Sequence, residues 1–507
     1  MPRENAWIDL GWIRTASNDA RYRRFFDTFA QQVPLGPASV DRWRWTQPKR
    51  SKERERMTIG TPAQEQWSNR GAFLMASIGF AVGLGNIWRF PYITGENGGA
   101  AFVLIYLACA FAIGVPILIA ELMVGRRGQS SPPGSMKAVA TQEGRSGNWR
   151  LVGDMGVLAA YMIVITYAAV VGWVLWYLYK AVLTGFAGFD AAAAQAEFTS
   201  VTADPLGMIV WTIAGLFVTG AIVFAGVKNG IERAVTILMP LLFLLLLVLA
   251  GFNLALGGMS EALTWLFTPD FSKIDSSVFL VAIGQAFFSI GVAMGGMMTF
   301  GSYLPRSISI PGSTLIVVGA DTLVALLAGL VIFPIVFNNG LSPDAGAGLI
   351  FQTLPVAFAE MPAGYVFSIL FFLLLAVAGI TSMVGLIETN VSWVEDQYGM
   401  SRHNSVFLVV GSVTAFAVVS VLGYNVLADV TLLGRGLNGL ADYISNQILL
   451  PLGGLLIAVF VAWRVSRRTS VEELAIGEGG AFGVWNFLLR FIVPPAVAII
   501  FITGIGG

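Results

Sequence analysis

Five polar residues sit deep inside apolar runs, and their chemistry is uniform. Asn86, Ser289, Asp321, Thr381 and Ser382 offer amide, hydroxyl and carboxylate oxygens. Hard cations take oxygen ligands of this kind, whereas soft metals favour thiolate and imidazole. The chain has one cysteine and one histidine, Cys109 and His403, so no soft-metal cluster competes. Asp321 is the most telling of the five. It lies mid-run in "LIVVGADTLVALLAGLVIFP", where insertion of a charged side chain costs about 2.5–3.5 kcal/mol. A structural pairing with a hydroxyl or lysine is the plain alternative, but the neighbouring runs hold no lysine. Asp321 therefore reads as a cation ligand.

A second feature joins these oxygens to an anion. "GFAVGLGNIWRFP", residues 79–91, carries three glycines, an Asn, an Arg and a Pro inside an apolar run. Backbone at membrane depth stays helical unless it lines a site, because lipid satisfies no free N–H or C=O. A broken helix exposes N–H groups on one half and C=O groups on the other. The N–H end attracts an anion and the C=O end a cation. The pattern suits a substrate carboxylate held beside a metal ion.

The elements that must position these groups are membrane helices. The 507 residues are 56% hydrophobic and 12% charged, against roughly 25% charged in soluble domains. A span needs roughly 20 apolar residues. Runs of that kind occur near 70–94, 98–124, 155–184, 206–227, 233–257, 277–302, 312–338, 363–395, 404–424, 439–465 and 485–505. The expected fold is an all-α polytopic membrane protein with eleven transmembrane helices. Lys and Arg concentrate on one side, in loops holding Arg126, Arg127, Lys137, Arg145, Arg150, Lys228, Arg233, Arg306, Arg402, Arg464, Arg467 and Arg468. The basic side is cytoplasmic by the positive-inside rule. The N-terminus is then inside and the C-terminus outside, in an inner (plasma) membrane. Residues 1–66 are polar, without the apolar core of a signal peptide, and are expected to form a mobile cytoplasmic extension to a membrane domain of 67–507. Met57 is an equally good initiator.

The sixth run, "AIGQAFFSIGVAMGGMMTFGSY", is also interrupted, at Gly291, Gly295 and Gly296. Glycines alone allow close helix packing. Two interrupted spans five apart point further, to a 5+5 inverted repeat with the site between broken helices one and six. Arg89, near the outer end of the first span, reads either as a snorkelling arginine or as a partner for Asp442. A zero net charge gives no case for nucleic acid. A channel would need a continuous polar stripe, and the polar groups here cluster near the midplane. A sensor acting through residues 1–66 is a further alternative. An enzyme is not expected, since no nucleophile–base pair or metal triad lies at membrane depth. No organic cofactor is implied.

The stretch "GFAVGLGNIWRFPYITGENGGAAFVLIY" resembles the first-span signature of the neurotransmitter:sodium symporters, in their bacterial amino-acid branch. "GVPILIAELMVGRRG", "VVGWVLWYLY", "GIERAVTILMP", "FTPDFSKI", "GQAFFSIGVAMGG", "AGITSMVGLIE" and "DYISNQILLPLGGLL" follow in order, from Trp67 to about residue 490. The resemblance implies two sodium ions. One site would use Ala81, Asn86, Ser289 and Asp321. The other would use the backbone of Gly79, Val82 and Ala378 with Thr381 and Ser382. The substrate carboxylate would meet Leu84, Gly85 and Tyr167, and its amine the carbonyls of Ala81 and of the Phe288–Ser289 region. Gly83 stands where monoamine carriers have Asp, so the substrate brings its own carboxylate. The pocket would be walled by Ile163, Phe288, Gly291, Met294, Ser382 and Leu386, with Gly291 and Met294 leaving room. It holds no charge, so a charged side chain would go unpaired. Neutral hydrophobic amino acids are expected, aromatic ones among the candidates.

The resemblance implies further that Asp321 replaces chloride, whose ligands have counterparts in Tyr106 and Gln285. Arg89 and Asp442 would gate the outside over Phe288, and Trp67 and Asp396 the inside. The inner-gate arginine position is Gln64. Gly230 and Pro240 would allow the fifth span to unwind. Membrane lipid is an expected partner, and a homodimer is compatible with the sequence.

Overall fold

The computed structural model describes residues 65–506 apart from 344, 345 and 478. The expected N-terminal extension, except Glu65 and Gln66, and the gate position Gln64 lie outside the described residues. What is described is overwhelmingly helical, with one two-residue hairpin pairing Thr431–Leu432 to Arg435–Gly436.

Among the described residues, nine helices are long and apolar enough to cross a membrane. They are Ala100–Gly128, Gly147–Thr184, Pro205–Phe224, Val227–Leu256, Ile310–Asn338, Gly364–Tyr398, Arg402–Leu422, Leu437–Trp463 and Gly480–Gly504. These correspond to spans two to five and seven to eleven. The expected first span is a bent pair, Arg70–Ala81 and Gly85–Glu96, at 49°. The expected sixth is split into Ser276–Ile290 and Gly296–Ser302. A count by length alone therefore gives nine or ten. Eleven requires each broken helix to be one span.

Local chemistry explains both breaks. The first span starts at Asn69, whose side chain accepts from the Ala72 N–H at 3.0 Å. It stops at Val82, where the backbone turns extended, and resumes through a π turn over Gly85–Arg89. The sixth span breaks where Gly291, Ala293 and Gly295 all have positive φ. Ala293 pays steric strain there, and its N–H donates to the buried carboxylate of Glu121 in the second span.

The third and eighth spans form the inner wall. The apolar stretch of the eighth is 78% buried, against 22% for the eleventh, which leaves the latter on the periphery. The seventh span contains Pro334. Its missing N–H orphans the Leu330 carbonyl four residues earlier. Asn253 of the fifth span donates to the carbonyls of Leu330 and Val331 at 3.1 and 2.7 Å.

Candidate functional site

The two breaks face each other, and the third, seventh and eighth spans close around them. Asn86 sits in the π turn just after the first break and is fully buried. Its Oδ1 accepts from the Gly83 N–H at 3.0 Å, locking the turn. Its Nδ2 donates to Asp321 Oδ1 at 2.7 Å, to the Asp321 carbonyl at 3.0 Å and to Ser289 Oγ at 2.9 Å. Ser289 Oγ lies 2.9 Å from Asp321 Oδ2, and Tyr106 Oη lies 3.3 Å from the same oxygen. Asp321 is 0% exposed and, among the described residues, forms no ion pair. A buried carboxylate with only neutral donors lacks several kcal/mol of compensation. The Asp321 carboxylate and the Ser289 and Tyr106 hydroxyls gather oxygens around one negative charge, which suits a hard cation as cargo, while Asn86 turns its Nδ2 to them and its Oδ1 to the Gly83 N–H.

A second oxygen cluster lies at the C-terminal end of the first half-helix. Ser382 Oγ is 3.4, 3.2 and 3.3 Å from the carbonyls of Gly79, Phe80 and Val82. Thr381 Oγ1, on the same helix, is 3.1 Å from the Ala378 carbonyl. The Thr381 Cβ is 3.4 Å from where a Gly79 Cβ would stand. Gly79, Val82, Ala378, Thr381 and Ser382 are thus brought together, and the Phe80 carbonyl joins them. This cluster is neutral, and the half-helix end supplies its negative potential.

Between the clusters lies a cavity of about 30 Å³. Ten of its eleven lining residues were expected from the sequence: Ala81, Gly83, Gly85, Ile163, Tyr167, Phe288, Gly291, Met294, Ser382 and Leu386. The eleventh is Phe80. No lining side chain is charged. The Leu84 N–H donates to Tyr167 Oη at 3.0 Å, so donor and hydroxyl converge at one edge of the cavity. A Cβ at Gly83 would stand 2.4 Å from Ser382 Oγ and 2.8 Å from Tyr167 Oη. Ser289 belongs to the cation cluster and does not line the cavity.

Gly291 lines the cavity and also makes room for the Phe80 ring, which a Cβ there would meet at 2.9 Å. Gly296 and Gly385 flank the same ring, with Cβ positions 2.4 and 2.1 Å from it. Three glycines form a slot for Phe80, a slot visible only once three distant segments are assembled. The cavity is about a tenth of the roughly 300 Å³ at which ligand pockets begin, so an amino-acid occupant requires Phe288 or the flexible Met294 to move.

The gate residues fall differently. No ion pair joins Arg89 to Asp442 in this structure. Arg89 lies 4.7 Å over the Phe288 ring, and Asp442 accepts from Asn446 one turn along its own helix. A cavity of about 280 Å³ opens beside Arg89 and Phe288. On the basic face, Trp67 is buried and donates to the Phe300 carbonyl at 3.0 Å. Asp396 accepts from Ser130 Oγ and the Ser131 N–H.

A further set was not foreseen. Buried Glu388 accepts from Tyr303 Oη at 2.7 Å and from Arg402 at 2.6 and 3.1 Å. Arg402 also donates to the Val223 carbonyl at the end of the fourth span. This network ties the sixth, eighth, ninth and fourth spans on the basic face. Glu65 accepts from the Val227 N–H at 2.7 Å, and Glu232 from the Ser68 N–H at 3.2 Å. These contacts hold the start of the first span to the π turn Val227–Glu232 that opens the fifth.

Comparison with known proteins agrees with this architecture. Residues 64–200 and 192–506 match the sodium:neurotransmitter symporter family. The chain is 35% identical to the sodium-dependent transporter YhdH of Bacillus subtilis, over 87% of this chain and 98% of that one. It is 28% identical to the sodium-dependent serotonin transporter of Drosophila melanogaster, over 89% and 78% of the two chains. The crystal structure of MhsT in complex with L-phenylalanine superposes with a TM-score of 0.80 at 40% identity, covering 87% of this chain and 99% of that one. The chain is therefore a sodium-dependent transporter rather than an enzyme, and it belongs to the sodium:neurotransmitter symporter family.

Proposed function

We propose that this symporter imports neutral, hydrophobic amino acids, aromatic ones included, together with two sodium ions and without chloride. The observation that carries the reading is the uncharged cavity set between two oxygen clusters, one of which holds an uncompensated carboxylate. A zwitterion whose carboxylate faces the Leu84 and Gly85 N–H groups brings its negative charge beside the first cation. Its apolar side chain faces Ile163, Met294 and Leu386. The bound L-phenylalanine in MhsT supports the substrate class. Asp321 takes hydrogen bonds from Ser289 and Tyr106 that an anion would otherwise receive, which supports chloride independence.

Alternating access follows from the broken helices. The half-helices of spans one and six close on the substrate only when cation and carboxylate join them. The basic-face network then releases. One charge across 100 mV supplies about 2.3 kcal/mol, and a tenfold gradient about 1.4 kcal/mol. Two sodium ions supply roughly 7 kcal/mol, or about five decades of accumulation for a neutral substrate. The basic face is cytoplasmic in this reading, with the C-terminus outside.

The test is uptake into proteoliposomes across the twenty amino acids, with sodium or potassium outside. Sodium-dependent uptake of Phe, Leu or Trp, unchanged when gluconate replaces chloride, is expected. Uptake that is independent of sodium, or selective for charged amino acids, overturns the reading.

A further inference from the structure

On the basic face, the ends of the tenth and eleventh spans carry arginines that the transport site does not use. Arg490 stands ten residues into the span that begins at Gly480, about 15 Å along its axis. Its guanidinium carbon lies 5.4 Å from the ring centroid of Trp463. Trp463 is the last residue of the tenth span, is 39% exposed, and is followed by exposed Arg464. Arg468 is exposed on the connecting helix Arg467–Leu474.

Among the described residues, none of Arg464, Arg468 and Arg490 forms an ion pair. The described carboxylates nearby have other partners: exposed Glu472 lies 3.8 Å from Arg127. Glu473 is buried against Arg126 at 2.6 Å. Glu143 accepts from the Ser466 N–H and the Thr469 hydroxyl. Arg126 and Arg402 show what the fold does with an arginine it pairs internally: both meet a buried carboxylate. Arg490 meets an aromatic face, and among the described residues its guanidinium forms no hydrogen bond.

We propose that these two span ends bind the phosphodiester of an anionic phospholipid, with Arg490, held by Trp463, and Arg464 as its ligands. Charge complementarity carries the assignment. Tryptophan marks the headgroup level, basic pockets between spans take anionic headgroups, and a guanidinium fork matches phosphate oxygens two at a time. An arginine that merely snorkels would favour an anionic headgroup by its charge alone, and a lysine in its place would do the same.

Native mass spectrometry of the full chain in detergent, with phosphatidylglycerol or phosphatidylcholine added at equal concentration, tests this. The wild-type chain should retain one phosphatidylglycerol more strongly than phosphatidylcholine. Arg490→Gln and Arg464→Gln should each lower phosphatidylglycerol retention about fivefold, with phosphatidylcholine unchanged. Arg490→Lys, which keeps charge without the fork, should fall between. Should Arg490→Gln fail to elute as a folded species, Arg464→Gln decides alone. Equal retention of the two lipids by the wild-type chain, or wild-type phosphatidylglycerol retention by a folded Gln variant, overturns the proposal.

Discussion

Asn86 and Asp321, 235 residues apart, are joined by a 2.7 Å hydrogen bond from the amide of the one to the carboxylate of the other. The bond ties the break in the first span to the middle of the seventh. It also explains how a buried carboxylate is held in place without a basic partner. The amide, the Ser289 hydroxyl and the Tyr106 hydroxyl fix both oxygens, while the charge itself stays available.

Asp321→Asn should keep that geometry and remove the charge. Loss of one member of a desolvated charge pair costs roughly 2–5 kcal/mol. The sodium concentration for half-maximal uptake should therefore rise by at least about thirtyfold. Uptake should also become chloride-dependent, since the missing negative charge then has to come from solution. Sodium titration of uptake in chloride and in gluconate measures both. Unchanged sodium dependence in Asp321→Asn removes this carboxylate from the cation site.

The Phe80 slot predicts a different failure. A methyl at Gly385 would stand 2.1 Å from the ring, and one at Gly296 2.4 Å. Overpacking of this kind costs about 1–3 kcal/mol. Gly385→Ala should lower the melting temperature and weaken substrate binding together, because Phe80 lines the cavity and its carbonyl faces Ser382. Gly385→Ala combined with Phe80→Leu should recover part of the stability, since the smaller side chain vacates the slot. Thermal melts and equilibrium binding on the three variants separate these outcomes.

Legibility in the sequence followed the range of the interaction. Asp321 could be found because a charge in an apolar run is conspicuous by itself. The glycines at 83, 291, 295 and 296 marked the breaks because helix breakers act locally. Glu121 carried the same signal as Asp321, a lone acid within "GVPILIAELMVGRRG", and that signal could have picked it out as the partner of the sixth-span break. The Phe80 slot, the Glu388–Arg402–Tyr303 network and the Arg126–Glu473 pair gave no such sign. Each depends on which helix faces which. Phe80 reads as one more apolar residue, and Arg402 as one more loop cation. The outer gate has a related dependence: the types at Arg89 and Asp442 are right for a pair, but whether they touch depends on how far the vestibule is closed.

The basic-face network predicts a shift between states. Glu388 is 0% exposed and Arg402 is its partner at 2.6 Å. Removing one member of a buried pair costs about 3–5 kcal/mol, whereas replacing both with apolar residues is often nearly neutral. Glu388→Gln should thus favour the state open on the basic face. A cysteine introduced at Ser302, buried at the end of the sixth span beneath this face, should react faster with a thiol reagent in sodium. Uphill accumulation should fall more than exchange does. The double variant Glu388→Met, Arg402→Met should be closer to wild type in stability than either single change. Unaltered labelling in Glu388→Gln assigns the network to stability alone.

Asn253 should matter through a proline that it does not touch covalently. Pro334 cannot donate to the Leu330 carbonyl, and Asn253 does so from the fifth span, with a second bond to Val331. Asn253→Ala leaves the Leu330 carbonyl unpaired in a partly buried place, at a cost of about 1–3 kcal/mol, while Val331 keeps its helix donor four residues on. The control is Pro334→Ala, which restores the backbone donor. In that background the same Asn253→Ala change has less to lose. A double-mutant cycle of melting temperatures should show coupling of roughly 1 kcal/mol or more, as contacting groups do. Purely additive effects would mean that Asn253 stabilises the fifth span by packing, and that the seventh tolerates its orphaned carbonyl unaided.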